Sequence, residues 1–186
     1  MNLTFKAFDL PTDRERLILF LKSDGWPFHV NSSLSEHKIL KMLEERLFDG
    51  TNHESFWILD GKTVAGFLRI YDLDDVDDGY PLFDLRISSQ HRGRGLGKSA
   101  VSWLTQYLFK KHIKLEKIVG TTRADNLAMR KTFALCGYVK EGHYRNDWGA
   151  ADGRHYDTVK YAVLREDWVS GARTPVRWND QPSIDS

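Results

Sequence analysis

Gln90-His-Arg-Gly-Arg-Gly-Leu-Gly-Lys-Ser99 is the stretch from which the fold of this chain can be read. Glycines alternate at Gly93, Gly95 and Gly97, with Arg92, Arg94 and Lys98 between and beside them. An apolar, strand-like run, Pro81-Leu-Phe-Asp-Leu-Arg-Ile87, precedes it, and a helix-like run from Lys98 to Phe109 follows. A strand therefore feeds a glycine-rich turn that opens a helix. Glycines let backbone N–H groups point inward and let a ligand come close. The unpaired N–H groups and the dipole at a helix start favour an anion. Flanking Arg and Lys side chains add charge-assisted hydrogen bonds. The pattern predicts a seat for a phosphate or pyrophosphate; the alternative is an ordinary glycine-rich turn with solvated basic residues.

Two familiar phosphate motifs fail by one residue each. A P-loop, G-x-x-x-x-G-K-S/T, ends correctly at Gly97-Lys98-Ser99, but its first glycine would fall on Arg92. The dinucleotide fingerprint G-x-G-x-x-G fits at Gly93 and Gly95, but its third glycine would fall on Lys98. The pattern Q/R-x-x-G-x-G/A fits without a gap, as Gln90-x-x-Gly93-x-Gly95.

The chain has 186 residues, the length of one domain with a real core. Its 41% hydrophobic and 12% aromatic content predicts a packed globular fold. A net charge of +1 gives no support for nucleic-acid or membrane binding. The single cysteine, Cys136, excludes an internal disulfide framework and a cysteine zinc cluster, and no metal is expected. No apolar run approaches the about 18 residues of a membrane span. The N-terminus lacks a signal-peptide apolar region, so the expected location is the cytoplasm.

Along the chain, Leu3 to Phe8 alternates as a strand, and Thr12 or Asp13 can cap a helix over about Arg14 to Lys22. Gly25-Trp-Pro-Phe-His-Val30 is too apolar for an idle linker; it either lines a pocket or folds onto the core. Ser33-x-x-Glu36 forms a capping-box pattern for a helix from about Ser35 to Phe48. Ser55 to Leu59, Asp60-Gly61, and Thr63 to Tyr71 give a hairpin signal. The aspartate-rich Asp72-Leu-Asp-Asp-Val-Asp-Asp-Gly79 is either a solvated loop or a negative lip that attracts a cationic substrate. It is not an EF-hand, since Asp77 and Phe83 stand where that loop needs Gly and Glu. After the Gln90 stretch come a strand over Leu115 to Gly120, a helix from Asp125 or Asn126 to Cys136 with Gly137 as its cap, and strands over Tyr138 to Tyr144 and His155 to Leu164. Residues 1–168 form one domain in this reading. Residues 169–186 form a polar C-terminal tail, expected to be partly disordered.

Together these features resemble the GNAT superfamily of N-acetyltransferases, and the resemblance covers nearly the whole chain. The Gln90 pattern matches that family's acyl-CoA pyrophosphate loop. Asp125-Asn126-x-Ala128 and Phe133-x-x-x-Gly137-Tyr138 are similar to its N-x-x-A and Y-x-x-x-G-F segment. Glu141-Gly142, Arg145, Tyr156-Asp157, Tyr161 and Leu164 to Trp168 look like the tail of the ribosomal-protein N-terminal acetyltransferase branch. The resemblance implies an α/β (α+β) fold: a mixed, mostly antiparallel central sheet of about seven strands with a V-shaped splay, flanked by about four helices. It implies acetyl-CoA as cosubstrate, with the pantetheine arm on the backbone near Ile87 and Ser88. The pyrophosphate would lie on Arg92, Gly93, Arg94, Gly95, Leu96, Gly97 and Lys98, with Ser99 in reach. Asn126 would bind the arm or thiol end, near Phe133. Many members carry a Tyr at the position of Phe133, where it can protonate the leaving thiolate; Phe cannot. Met129 stands where the ribosomal-protein branch commonly has Ser, so the resemblance does not carry that branch's substrate over to this chain.

The activity implied is transfer of acetyl directly to a primary amine of a cationic small molecule or a protein N-terminus; the alternative is a non-catalytic acyl-CoA-binding module. A lysine-like amine, with pKa about 10.4, is neutral in only about one molecule per thousand near neutral pH, a deficit of roughly 4 kcal/mol. A base removes it, and Asp84 is the candidate. Strand alternation puts Phe83, Leu85 and Ile87 on one face and Asp84 and Arg86 on the other; a structural ion pair with Arg86 is the competing role for Asp84. No nucleic-acid or membrane partner is expected, and a homodimer is left open.

Overall fold

Two strands in the middle of the chain are apolar on both faces, and the fold grows from them. The computed structural model describes residues 3–76 and 79–178. In it β2 (Glu54–Asp60) and β3 (Thr63–Tyr71) form the expected hairpin, turning at Gly61. Alternation sends Phe56, Ile58, Leu68 and Ile70 into one core and Trp57 and Phe67 into another. β1 (Leu3–Ala7) adds to the outer edge of β2, and β4 (Leu82–Ile87) to that of β3, all antiparallel. A second antiparallel sheet has the order β5 (Lys117–Arg123), β7 (His155–Leu164), β6 (Val139–Gly149). β4 and β5 approach each other but share no ladder. The seven strands among the described residues thus form one surface split between β4 and β5, the splay that the family resemblance implied.

Helices cover both faces. α1 (Leu10–Lys22) and α2 (Glu36–Glu44) lay Leu17, Leu21, Ile39 and Leu43 on Trp57 and Phe67. α3 (Leu96–Lys111) lays Val101, Leu104 and Leu108 on the other face, where α4 (Leu127–Leu135) contributes Phe133.

Some boundaries differ from expectation, each for a local reason. α1 begins at Leu10 with Pro11 in its first turn and Asp9 as N-cap residue. Asp13, expected outside the helix, instead accepts the Asp9 N–H at 3.1 Å from within the first turn. α2 is capped by Ser35, whose Oγ accepts the Lys38 N–H at 3.3 Å, two residues beyond the expected box. It stops at Glu44, and Arg46 takes a positive φ of 55°. The polar run after Leu164 opens with a fifth helix, α5 (Arg165–Ser170). Arg165 donates to the carbonyls of Phe109, His112 and Leu115, and buried Asp167 accepts the N–H and hydroxyl of Thr174. Polar composition here reflects caps and clasps rather than a loose tail. Residues 179–186 of the expected tail, and Asp77 and Asp78 of the acidic stretch, lie outside the described residues.

Gly120, in β5, lies under the Phe133 ring: a Cβ there would come 2.4 Å from that ring and 3.1 Å from Phe83. Gly120→Ala is therefore expected to cost about 1–3 kcal/mol through overpacking, measured as a lower urea midpoint at unchanged m value. A variant as stable as the parent would show that the ring is not held against the strand.

Candidate active site

The Gln90 stretch folds as read. A short 3₁₀ turn (Ser89–His91) leads into Gly93 at φ 75° and Gly95 at φ 82°, and Gly95 is the N-cap residue of α3. Both glycines adopt the left-handed backbone that side chains disfavour, and a Cβ at either would meet open space, so nothing but backbone faces outward there. The N–H groups of the first turn of α3 lack helical partners by construction. They border a cavity of about 500 Å³ that runs along Gly93, Gly95, Gly97 and Lys98 and continues past Ile87 to Asn126.

The side chains of the loop divide their work. Lys98 is exposed and lines the cavity. Arg92 also lines it, but its guanidinium turns inward, donating to the carbonyls of Ile87 and Gly25, both at 2.9 Å, with Asp24 at 3.6 Å. Burial pushes the Asp24 carboxyl up, but hydrogen bonds from Ser89 and the Arg92 charge outweigh it, so the group titrates below the usual range. Arg94 pairs with Asp60 at 2.7 Å. The Ser99 hydroxyl bonds the Gly95 carbonyl at 3.5 Å, and Ser88 Oγ lies 2.7 Å from His91 Nδ1. Asn126 serves two ends, since its Oδ1 caps α4 at Met129 N–H while its Nδ2 bonds Thr122 and its side chain lines the cavity. Phe133 is not on the wall. It is fully buried, stacked on Tyr161 with ring centres 5.1 Å apart.

A second cavity, of about 280 Å³, adjoins the first. Phe28, His29, Leu85, Asn126 and Met129 line both. Asp84 lines the second cavity and bonds Arg86, with which strand alternation predicted it to share a face. Its Oδ2 accepts from Arg86 at 2.9 Å, and its Oδ1 lies 3.1 Å from His29 Nε2. Burial alone would raise the Asp84 pKa, but the His29 contact and the Arg86 charge prevail and hold it well below the usual carboxylate range.

The loop over residues 25–30 is the part the sequence left open, and it lines both cavities. Trp26 is buried with its Nε1–H on the Leu21 carbonyl, between the guanidinium groups of Arg86 and Arg92. Arg123 donates to the Pro27 carbonyl and lies over Phe28 and Tyr156. The loop is thus tied to β4 through His29, to the phosphate-loop side through Gly25, and to β5 through Pro27. Sequence reading did not single out His29, Arg69 or Trp148, all of which line the second cavity. Only the apolar character of the 25–30 segment pointed towards His29.

Because the folded-state pKa of Asp84 is depressed, its ionised form stabilises the fold above the unfolded carboxylate value of about 3.9. That contribution is lost as pH falls below this value towards the folded pKa. Asp84→Asn is expected to cost about 1–3 kcal/mol near neutral pH, and urea denaturation should show the gap to the parent closing below about pH 4. A gap independent of pH would contradict the ion-pair assignment.

The chain matches the model of the acetyltransferase (GNAT) family over residues 19–138. It is 23% identical over 167 residues to the putative ribosomal N-acetyltransferase YdaF of Bacillus subtilis (strain 168), covering 85% of this chain and 89% of that protein. It is 30% identical over 115 residues to N-acetyltransferase family 8 member 2 of Rattus norvegicus, covering 57% of this chain and 50% of that one. Among solved structures, a spermidine N-acetyltransferase SpeG chimera from Vibrio cholerae and hSSAT superposes with a TM-score of 0.76 at 20% identity, covering 91% of this chain and 99% of the other. A dodecameric spermidine N-acetyltransferase from Vibrio cholerae gives 0.72 at 18% identity, covering 92% and 98%. The structural likenesses speak for the fold; the family match, which spans well over half of the sequence, speaks for kinship. The protein belongs to the GNAT family of acetyltransferases and is an N-acetyltransferase.

Proposed function

We propose that the protein transfers the acetyl group of acetyl-CoA directly to a primary amine, of a small molecule that arrives as a cation or of a protein N-terminus, in the gap between β4 and β5. The observation that carries this reading is the meeting of the two cavities at His29 and Asn126, beside the Asp84 ion pair. Similar proteins named spermidine and ribosomal N-acetyltransferases support an amine acceptor. The larger cavity suits acetyl-CoA: bare glycine backbone at one end, Lys98 beside it, and the open edge of β4 along its length. In this reading Gly93 to Gly97 and Lys98 hold the pyrophosphate, with Arg94 and Ser99 at its rim. Ile87 and Ser88 offer backbone to the arm, and Asn126 stands at the thiol end. Arg92 shapes the seat by holding the 25–30 loop, and Phe133 supports it from beneath.

Acetyl-CoA supplies an acetyl thioester whose thiol, with a pKa of about 8.5, is a tolerable leaving group near neutral pH. What the chain must do is take a proton from the ammonium ion of the acceptor. A carboxylate held as strongly ionised as Asp84 is a weak proton acceptor on its own. Its place beside His29 gives it another use: it orients the imidazole, and histidine is the side chain that most often serves as a general base. With Nε2–H facing Asp84, His29 Nδ1 keeps its lone pair, and it has no partner within the protein. Asp84 and His29 together thus serve as the base. Phe133 donates no proton, so the departing thiolate is protonated by solvent.

Calorimetric titration should show binding of acetyl-CoA and CoA without competition from ATP, and free thiol should appear only when an amine is added. No binding of acetyl-CoA would overturn the reading; binding without thiol release from any amine would make the protein an acyl-CoA-binding module. His29→Gln is expected to lower kcat for amine-dependent thiol release by about 10²–10⁴-fold. A variant that keeps the parent kcat would exclude His29 as the base.

A further inference from the structure

The wall of the smaller cavity carries more positive charge than a site for a simple cation would. Arg69 and Arg86 both line it, against the single carboxylate of Asp84. Arg69 and Asp84 are direct partners across the β3–β4 ladder, and Arg86 follows two residues later on the same face. Arg86 is nine-tenths buried; one of its terminal nitrogens bonds Asp84, while the other, Nη1, has no partner. Arg69 pairs with no carboxylate among the described residues. Its guanidinium stacks on Tyr71 with its centre 4.6 Å from the ring, one nitrogen reaches the Leu47 carbonyl at a long 3.4 Å, and its buried Nε is unpartnered. Trp148, on the same cavity, adds a third unpartnered buried donor in its Nε1–H.

Asp84 is the counter-charge of Arg86, so two guanidinium groups share one carboxylate and the wall keeps a net positive charge; each unpaired buried donor adds a cost. Behind the cavity, a space of about 10 Å³ between Arg69, Asp84 and Arg86 is roughly large enough for one water. A water can satisfy a donor, but it leaves the excess charge in place. A planar anion satisfies both, because the fork of an arginine matches the two oxygens of a carboxylate. The same cavity reaches His29 and Asn126, where in the proposed function the amine meets the acetyl group, and Asp84 touches both Arg86 and His29, so the two sites lie within the span of one small molecule.

We propose that the acceptor is an amine that also bears a carboxylate, of the amino-acid class, with the carboxylate held by Arg69 and Arg86 and the amine at His29. This deepens the proposed function and rests on it. It separates the acceptor from polyamines, which would bring only positive charge to two guanidinium groups. A cavity of about 280 Å³ also suits a small molecule of this kind.

The test follows thiol release from acetyl-CoA with free L-amino acids and β-alanine, each compared with its own carboxamide, and with spermidine. Calorimetry of the same compounds against the protein saturated with CoA runs beside it. The free acids are expected to exceed their amides in kcat/KM by at least about tenfold, since a site built around a charged group rejects analogues that lack it. Arg69→Gln should erase most of that preference by raising KM for the acids, with acetyl-CoA affinity unchanged, and Arg69→Lys should restore part of it. Thermal melting of both variants verifies that they fold. Amides or spermidine turned over as well as the acids would overturn the proposal and leave the transferase standing. Binding of the acids in preference to the amides, without any thiol release, would sustain the anion site and overturn the transferase reading. The absence of both binding and turnover for every acid would overturn the proposal.

Discussion

The separation of β4 from β5 is the constraint on which the rest of the structure depends. Each strand is hydrogen-bonded on one side only: β4 to β3, and β5 to β7. Open strand edges carry unpaired N–H and C=O groups that need partners. Here they face a gap rather than bulk solvent, and both cavities open from it. The residues packed at the root of the gap are large: Phe133 is buried and Phe83 partly so. Phe83 and Phe133 meet edge to face, and Gly120 has no side chain because their rings occupy its space. A core packed this way holds the two half-sheets at a fixed divergence.

The loop over residues 25–30 ties the two halves together across the gap. Its fastenings are arginines: Arg92 at Gly25, Arg123 at Pro27, and Arg86 and Arg92 on the faces of Trp26. These bonds fix the backbone that presents His29 to Asp84. A carboxylate in an ion pair and an imidazole at the meeting point of two cavities then follow from one strand and one loop. In the proposed reading stability and chemistry share the same residues, and Asp84 bears on both.

Much of this was legible in the chain because its signals are local. The alternating glycines between a strand and a helix specify backbone geometry, and both Gly93 and Gly95 have the positive φ that the pattern required. The β2–β3 hairpin follows from two apolar runs joined by Asp60-Gly61, a local turn signal. The face of Asp84 was set by strand period, and so was its pairing with Arg86. Less legible were features that depend on distant partners. The cap of α2 moved to Ser35, and the polar segment after Leu164 became a helix because Arg165 reaches the carbonyls of Phe109, His112 and Leu115. Arg92 was legible as a lining residue of the larger cavity, but not its bond to the Gly25 carbonyl, 67 residues away in sequence. Phe133 holds its motif position but spends its ring on core packing. His29 and Arg69 carry no motif at all; tertiary structure alone brings them to Asp84.

The central claim is that the gap between β4 and β5 is the seat of the acyl carrier, and a crystal structure of the protein with CoA tests it most directly. The account predicts the pyrophosphate on the N–H groups between Gly93 and Gly97, the arm along the open edge of β4, and the thiol beside Asn126 and His29. CoA bound elsewhere on the molecule, or β4 and β5 joined by a continuous ladder in the complex, would contradict it.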